Sequence, residues 1–319
     1  MNILVTGGLG FIGSNFINQR LKKGDVIYNV DKVTYAASHD NIIQDTWNVF
    51  SGHAEPNYRH FDCDINNAEH VGRIYQAHNI EAVVHFAAES HVDRSIANPD
   101  EFINTNINGT FKMLEMFKEM SCPGHKFIHV STDEVYGDLT EEEPAFTESS
   151  QIKPNSPYAA SKAASDLLVR SYYETYNLPV CITRCSNNYG PNQFPEKLIP
   201  LMIKSALGGE SLPVYGDGKN IRDWIHVSDH CVAISCILEN FQPGEVWNIG
   251  GETEIRNIDI VTMILDALDL PHDRIEYVED RKGHDWRYAM DISKIRKELG
   301  WEPKVTFSRG LRMLIDTYK

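Results

Sequence analysis

Short apolar runs rich in β-branched residues recur along the first half of the chain: NILVTG, DVIYNVD, EAVVHFAA, KFIHVST and LPVCITR. Their hydrophobicity is nearly continuous and does not alternate, which predicts strands buried on both faces. Longer amphipathic stretches separate them, beginning with FIGSNFINQRLKKG. Strand and helix in alternation predict a parallel sheet covered on both sides, so the expected class is α/β, doubly wound. After Asn187 the pattern changes to proline and glycine punctuation in YGPNQFPEKLIP and GGESLPVYGDGKN, followed by a helical stretch near Val227 to Leu238 and a closing helix from about Ser308. The division this suggests is a larger domain of 1–186 plus 222–248 and a smaller mixed α/β domain of 187–221 plus 249–319. The acidic stretch 139–157, LTEEEPAFTESSQIKPNSP, has too many prolines for a helix and too few apolar positions for a strand, and predicts a long loop of the kind that is often functional.

Composition narrows the classes. At about 150 residues per domain, 319 residues suit two domains or one large one, and 42% hydrophobic with 24% charged is a globular balance. Thirty Lys and Arg against 45 Asp and Glu give a formal charge of −15, a field that repels polyanions and argues against nucleic-acid or anionic-membrane partners. No run approaches the ~18 apolar residues of a membrane span, and MNILVTGGLG has none of the features of a secretory signal. With six cysteines, none spaced CxxC, the expectation is a cytoplasmic protein with reduced thiols and no zinc ribbon. His226 and His230 are spaced for a helical metal pair, but they straddle a strand end and a helix start and lack an HExxH partner, so no metal is expected.

The first candidate chemistry is TGGLGFIG, where Gly7, Gly10 and Gly13 form a tight turn between a strand and an apolar helix. Such a turn lets backbone N–H groups and the positive end of a helix approach a pyrophosphate. The second strand ends in Asp31, eighteen residues after Gly13, where a carboxylate can accept from both ribose hydroxyls of NAD and repels the 2′-phosphate of NADP. A Rossmann-type NAD domain is the expectation, with Phe11, Ile12 and Lys32 beside these residues. In FDCDI, Asp62, Cys63 and Asp64 are candidates for the adenine edge, while a helix cap explains Asp64 equally well.

The second is YxxxK, Tyr158 and Lys162, which SPYAASKAASDLL places one helical turn apart on one face. A phenol with an ordinary pKa of ~10 is a poor base, and a neighbouring ammonium favours its charged form. Strand-end STDEVYG adds Thr132, a hydrogen-bonding hydroxyl, and the adjacent acids Asp133 and Glu134. Two neighbouring carboxyls pushed to different pKa values would supply an acid and a base; the plainer alternative is a TDE cap for the next segment.

Over essentially its whole length the chain resembles the extended short-chain dehydrogenase/reductase superfamily, and within it the dTDP-glucose 4,6-dehydratases. The resemblance rests on TGGLGFIG, DKVTYA, AAESHVDRSI, STDEVYG, SPYAASKAASD, RCSNNYGPNQFPEKLIP, GDGKNIRDWIHVSDH and DRKGHDWRY. It implies a tightly held NAD, dTDP-glucose as substrate, a homodimer built through a helix bundle, and a place in deoxysugar biosynthesis of the rhamnose type. It also implies roles. Tyr158, helped by Lys162 and Thr132, deprotonates the C4 hydroxyl; Glu134 takes the C5 proton; Asp133 protonates the departing C6 oxygen. Ala87, Ala88, Ser90 and Asn106 are implied at the cofactor. Ser90, Asn187, Lys197, Leu198, Tyr215, Arg222, Asn257, Arg281, His284 and Tyr288 are implied at the sugar nucleotide, where guanidinium forks suit phosphate oxygens. DRKGHDWRY departs from the family's pattern at Lys282 and Trp286, where proline and a second arginine are expected. The rival readings are a UDP-sugar 4-epimerase, a 4,6-dehydratase of another nucleotide sugar, and a non-catalytic NAD-binding regulator.

Overall fold

The computed structural model describes residues 1–43 and 57–319. Seven strands, β1 (Asn2–Thr6), β2 (Val26–Asp31), β3 (Tyr58–Asp62), β4 (Ala82–His85), β5 (Lys126–Thr132), β6 (Val180–Cys185) and β10 (Val246–Ile249), form one parallel sheet in the order β10-β6-β5-β4-β1-β2-β3. The order reverses between β1 and β4, and in such sheets the crevice outside the carboxyl ends at that switch point is where ligands bind.

Each face of the sheet carries its own core. Helices α1 (Phe11–Lys22), α8 (Val227–Glu239) and α10 (Ser293–Leu299) cover one, bringing Phe16, Ile17, Cys231, Ile234 and Ile295 against Ile3, Val5 and Trp247. Helices α2 (Ala68–Ala77), α5 (Thr110–Met120) and α6 (Pro157–Tyr176) cover the other, with Val71, Ile74, Met113, Phe117 and Val169 against Leu4, Val83 and Phe127. Between β4 and α5 run two short helices, α3 (Val92–Ala97) and α4 (Asp100–Phe102), and a π-helical stretch Ile103–Gly109. The 20-residue α6 has clear local causes: the Ser156 hydroxyl accepts the Ala159 N–H at 3.1 Å, Pro157 opens the first turn, and Asn177 closes the helix in the left-handed region at φ 54°.

A second body packs α7 (Leu198–Gly208), α9 (Asn257–Ala267) and α11 (Phe307–Asp316) around a three-stranded sheet, β11 (Glu254–Arg256), β9 (Ile221–His226) and β7 (Asn187–Tyr189), with a two-stranded pair β8 (Leu212–Tyr215) and β12 (Ile275–Val278) beside it. Two placements differ from the division drawn on sequence. β9, assigned there from 222 to the larger domain, pairs with β7 and β11, whereas Ile292, Ile295 and Trp301, assigned to the smaller one, lie in the core of the large sheet. Strand pairing and helix docking are long-range choices, so a punctuation change in the chain does not locate them. The 139–157 loop is long as expected, yet it is anchored: Phe146 donates its N–H to Ala289 O at 2.9 Å, and Leu139 and Phe146 share a small core with Tyr136, Tyr288 and Met290. Among the described residues no helix is long and apolar enough to cross a membrane.

Candidate functional site

A cavity of about 310 Å³ opens at the switch point. Its floor is the glycine turn, and the geometry shows why glycine stands there. Gly7 has φ +68°, and a Cβ on it would meet the Ala87 backbone at 2.7 Å; a Cβ on Gly13 would meet Gly7 O at 2.4 Å and Gly8 Cα at 2.9 Å. The N-cap of α1 is Gly10, with no side-chain cap bond and no acid in the first turn, so the leading N–H groups of α1 face the cavity free to take an anion. Asp31 closes β2 at the rim. One carboxylate oxygen accepts the Leu9 N–H at 2.9 Å and the other the Val33 N–H at 2.9 Å, which fixes the group while leaving lone pairs for ribose hydroxyls. These features fit a dinucleotide with a free 2′-hydroxyl.

Gly7, Gly10, Phe11, Ile12, Gly13, Asp31, Lys32, Cys63, Asp64, Ala87, Ala88 and Ser90 all line this cavity. Asp62 does not: it is exposed at the end of β3, whereas Asp64, beyond the strand, turns in and pairs with Lys32 at 3.3 Å. The cap of α2 is Asn67, so Asp64 is not a helix cap; its Oδ1 instead accepts the Asn66 N–H at 2.8 Å. Asn106 is also off the wall. Its Oδ1 accepts the Glu89 N–H at 2.8 Å, and its amide nitrogen donates to Glu89 O at 3.0 Å and Ser161 Oγ at 2.8 Å, tying the Ala87–Ser90 segment to α6.

At the inner end stand Thr132, Asp133, Glu134, Tyr158 and Lys162 together. Thr132 caps a 3₁₀ turn, Asp133–Tyr136, through the Glu134 N–H at 3.3 Å, and its hydroxyl donates to Asp133 Oδ1 at 3.1 Å. The cap and the reactive arrangement therefore coexist. The Tyr158 phenol has Thr132 as its hydrogen-bonding neighbour, and Lys162 Nζ donates to Val130 O at 2.8 Å. Asp133 is 2% exposed and its Oδ2 has no hydrogen-bond partner among the described residues. Burial, then the charges of Glu134 and Asp223, push the Asp133 carboxyl well above the carboxylate range, so it carries a proton more readily than an ordinary Asp. Glu134 is raised too, by burial, but Arg281, Arg222 and Lys197 oppose that shift. The two carboxyls thus sit in different fields. Burial lowers Lys162 to about 8 and holds the Tyr158 phenol well above 10, with Glu134 adding to the latter.

Asn187 and Lys197 reach the same cavity, and Lys197 Nζ donates to Ser90 O at 2.9 Å across to the larger body. The remaining nucleotide candidates gather on the smaller body. The Arg222 guanidinium lies 4.3 Å from the Tyr288 ring centroid and donates to Asp285 O at 2.8 Å. Arg281 is 5.9 Å from the centre of the exposed Tyr215 ring and 3.9 Å from Asp93. His284 lies against Tyr215 and holds Asp280 at 2.6 Å; burial and the two arginines push it down to about 4. Asn257 opens α9 with its Oδ1 unpartnered among the described residues, and Leu198, first residue of α7, packs on the core of that body. His226 and His230 bond Ser228 and Asn188 respectively. A clasp that no sequence motif marks joins three segments at the cavity wall, where Tyr35, Phe194 and Glu196 stand. The Arg94 guanidinium lies 3.6 Å from the centre of the Tyr35 ring and pairs with Glu196 at 2.9 Å, and Tyr35 meets Phe194 edge-on at 5.3 Å. The three segments are far apart in the chain, so nothing local signals the contact.

Comparison with known proteins adds a lineage. A family model described as GDP-mannose 4,6 dehydratase matches residues 4–314. The chain is 49% identical to a dTDP-glucose 4,6-dehydratase of Xanthomonas campestris pv. campestris (strain B100), over 99% of this chain and 92% of the relative. A dTDP-glucose 4,6-dehydratase from Streptomyces venezuelae, solved with NAD bound, superposes with TM-score 0.93 at 45% identity, covering 100% of this chain and 97% of that one. A UDP-glucose 4-epimerase from Thermotoga maritima superposes at 0.89 with 28% identity, covering 100% and 98%. The backbone alone hardly separates the two activities.

Proposed function

The chain belongs to the dTDP-glucose 4,6-dehydratase family of the extended short-chain dehydrogenase/reductase superfamily, and on that premise we propose how its residues divide the reaction. The activity is NAD-dependent dehydration of dTDP-glucose to the 4-keto-6-deoxy sugar nucleotide, in deoxysugar biosynthesis. NAD, when bound, supplies a hydride acceptor at C4 and a hydride donor at C6. The glycine turn and Asp31 would hold it, and Tyr158 and Lys162, on the same cavity, would take its nicotinamide ribose.

Tyr158 takes the proton of the C4 hydroxyl. Thr132 orients that hydroxyl, and the Lys162 ammonium favours the phenolate that burial opposes. With C4 a ketone the C5 proton is acidic, and Glu134 removes it as the carboxylate that three cations favour. Asp133, kept protonated by its burial, gives its proton to the C6 oxygen, which leaves as water. Glu134 returns a proton to C5 as C6 is reduced. Arg222, Arg281 and Lys197 take the diphosphate oxygens, and Tyr215 lies against the base.

One observation carries this reading over an epimerase: Asp133 and Glu134 both face the cavity beside Tyr158, and although burial raises both carboxyls, Glu134 and Asp223 add to the shift of Asp133 while Arg281, Arg222 and Lys197 counter that of Glu134. An epimerase returns the hydride to C4 and has no use for either acid. The Glu134→Gln variant tests it. With dTDP-glucose in heavy water it should oxidise the sugar, build up reduced cofactor in the near-ultraviolet and place no deuterium at C5; full turnover by this variant, or a C4 epimer of unchanged mass from the parent, removes Glu134 from the role.

The homodimer belongs to this proposal as well. Phe111 on α5 and Leu167 on α6 are 37% and 53% exposed, and these two helices pack side by side on the outer face of the large sheet. Two copies facing each other would bury this apolar surface in a four-helix bundle. Leu167→Glu should then shift the protein towards monomer in sedimentation; an unchanged sedimentation rate places the interface elsewhere. Six free thiols, four of them buried, support a reducing cytoplasmic setting.

A further inference from the structure

We infer that Arg184 and Tyr136 form a buried strut that keeps the two proton-transferring carboxyls in register with the oxidising tyrosine and lysine, an assignment that rests on the roles given above to those four groups. Arg184 projects from β6 under the site. Its Nε donates to Asp166 Oδ2 at 2.8 Å, and its Nη1 donates to the Tyr136 hydroxyl at 2.9 Å. Asp166 lies on α6 one turn beyond Lys162 and two beyond Tyr158, and is therefore on the same helix face. Tyr136 is the last residue of the short turn that begins with Asp133 and Glu134. One guanidinium thus joins the helix that carries the oxidation to the turn that carries the elimination.

The joint is buried and tied to further elements. The Tyr136 hydroxyl donates onward to Asn248 Oδ1 at 2.7 Å on β10, and the fully buried Asn248 in turn donates to Phe146 O at 2.9 Å. His129 Nε2 stands 3.5 Å from Asp166 Oδ1, next in chain to Val130, whose carbonyl holds Lys162. Tyr136, Asp166, Arg184, Asn248 and His129 are all at most 5% exposed. Buried ion pairs of this kind add little stability over a well-packed apolar group of equal volume, so their presence is better explained by the geometry they specify. A lysine at 184 could meet one partner but lacks the planar fork that meets both.

The two ends of the strut differ in how much they need it. The helix is 20 residues long, capped by Ser156, and held at Tyr158 N by Ser95 Oγ at 3.2 Å and at Lys162 by Val130 O. The turn is four residues long, and among the described residues its backbone is held by the Thr132 cap, a Gly137 N–H to Glu134 O bond at 3.3 Å and the Lys153 N–H to Val135 O bond at 3.0 Å, with Val135 and Tyr136 packed in a small core. Releasing the strut therefore displaces Asp133 and Glu134 while Tyr158 and Lys162 stay in place, and elimination slows more than oxidation.

Tyr136→Phe in the NAD-loaded protein tests this. It removes the hydroxyl and leaves the ring stacked 4.9 Å from Phe146. With dTDP-glucose the expected result is a kcat lower by about 10- to 100-fold, an unchanged KM, and a larger share of the cofactor standing reduced during turnover, read by its near-ultraviolet absorbance. Arg184→Lys, which keeps a charge beside Asp166, should give the same signature, and cofactor content with the melting temperature reports whether each variant is folded. A fall in kcat without build-up of reduced cofactor, or no fall, in whichever variant folds overturns the strut. Glu134→Gln run alongside separates the causes: if it too fails to accumulate reduced cofactor, the roles of the carboxyls fail and the strut with them; if it accumulates and the strut variants do not, the strut alone falls.

Discussion

Replacing Asp133 by Asn removes a carboxyl that the fold holds against its chemistry, and the change in stability has a sign and a pH dependence that follow from the structure. The side chain is 2% exposed, its Oδ2 is unpartnered among the described residues, and burial with the charges of Glu134 and Asp223 raises its pKa well above the ordinary 3.8. A carboxyl raised in the folded state binds its proton more tightly there than in the unfolded chain. Above the ordinary value the unfolded chain loses that proton first, so the parent's folding stability falls with rising pH, by about 1.4 kcal/mol per pH unit, until the folded pKa is passed. Asparagine has no such loss. The stability of Asp133→Asn relative to the parent should therefore improve steadily from about pH 4 upward and then level off, while product formation is lost. Urea unfolding with saturating NAD across a pH series measures the gap from the shift in midpoint, provided the slope is unchanged. A gap that stays flat or narrows with pH would mean that Asp133 ionises in the folded protein, and a carboxylate cannot be the acid that releases water.

Two further outcomes follow from the cofactor end of the cavity. Gly13→Ala puts a methyl 2.4 Å from Gly7 O, a backbone atom with no room to retreat; strain of about 1–3 kcal/mol should weaken NAD binding by about 10- to 100-fold, measured by titrating the cofactor-free protein, and unaltered affinity would show that the turn does not hold the pyrophosphate. Burial brings Lys162 down to about 8, so kcat/KM should fall on the alkaline side as the ammonium loses its proton. Lys162→Arg, which stays charged at every accessible pH, should remove that limb from whatever activity remains; a limb that persists belongs to another group.

Much of this protein was legible before folding because its causes are local. Non-alternating apolar runs marked β1, β2, β4, β5 and β6, since strands covered on both faces have no polar side to alternate with. The spacing of Gly7, Gly10 and Gly13 marked a tight strand-to-helix turn, because the left-handed φ of Gly7 and the contact of Gly13 with Gly7 O exclude a side chain. Tyr158 and Lys162 share a face because a helix repeats every 3.6 residues. The strand VWNI was not singled out, being four residues of a type found equally in buried helices.

What needed the tertiary structure is whatever depends on which distant segments meet. Asp62 and Asp64 read alike in FDCDI, but only the second turns into the cavity, and that depends on where β3 ends beside β2. Asn106, a candidate for the cofactor on sequence, bonds Glu89 and Ser161, partners that no local pattern announces. The unequal surroundings of Asp133 and Glu134 arise from Asp223 beside the first and from Arg281 and Lys197 beside the second, all brought from the smaller body. Composition and spacing determined the elements and the types of reactive group; burial and long-range pairing decided their protonation and register, because the energy of a charge depends on its neighbours in space and hardly at all on its neighbours in the chain.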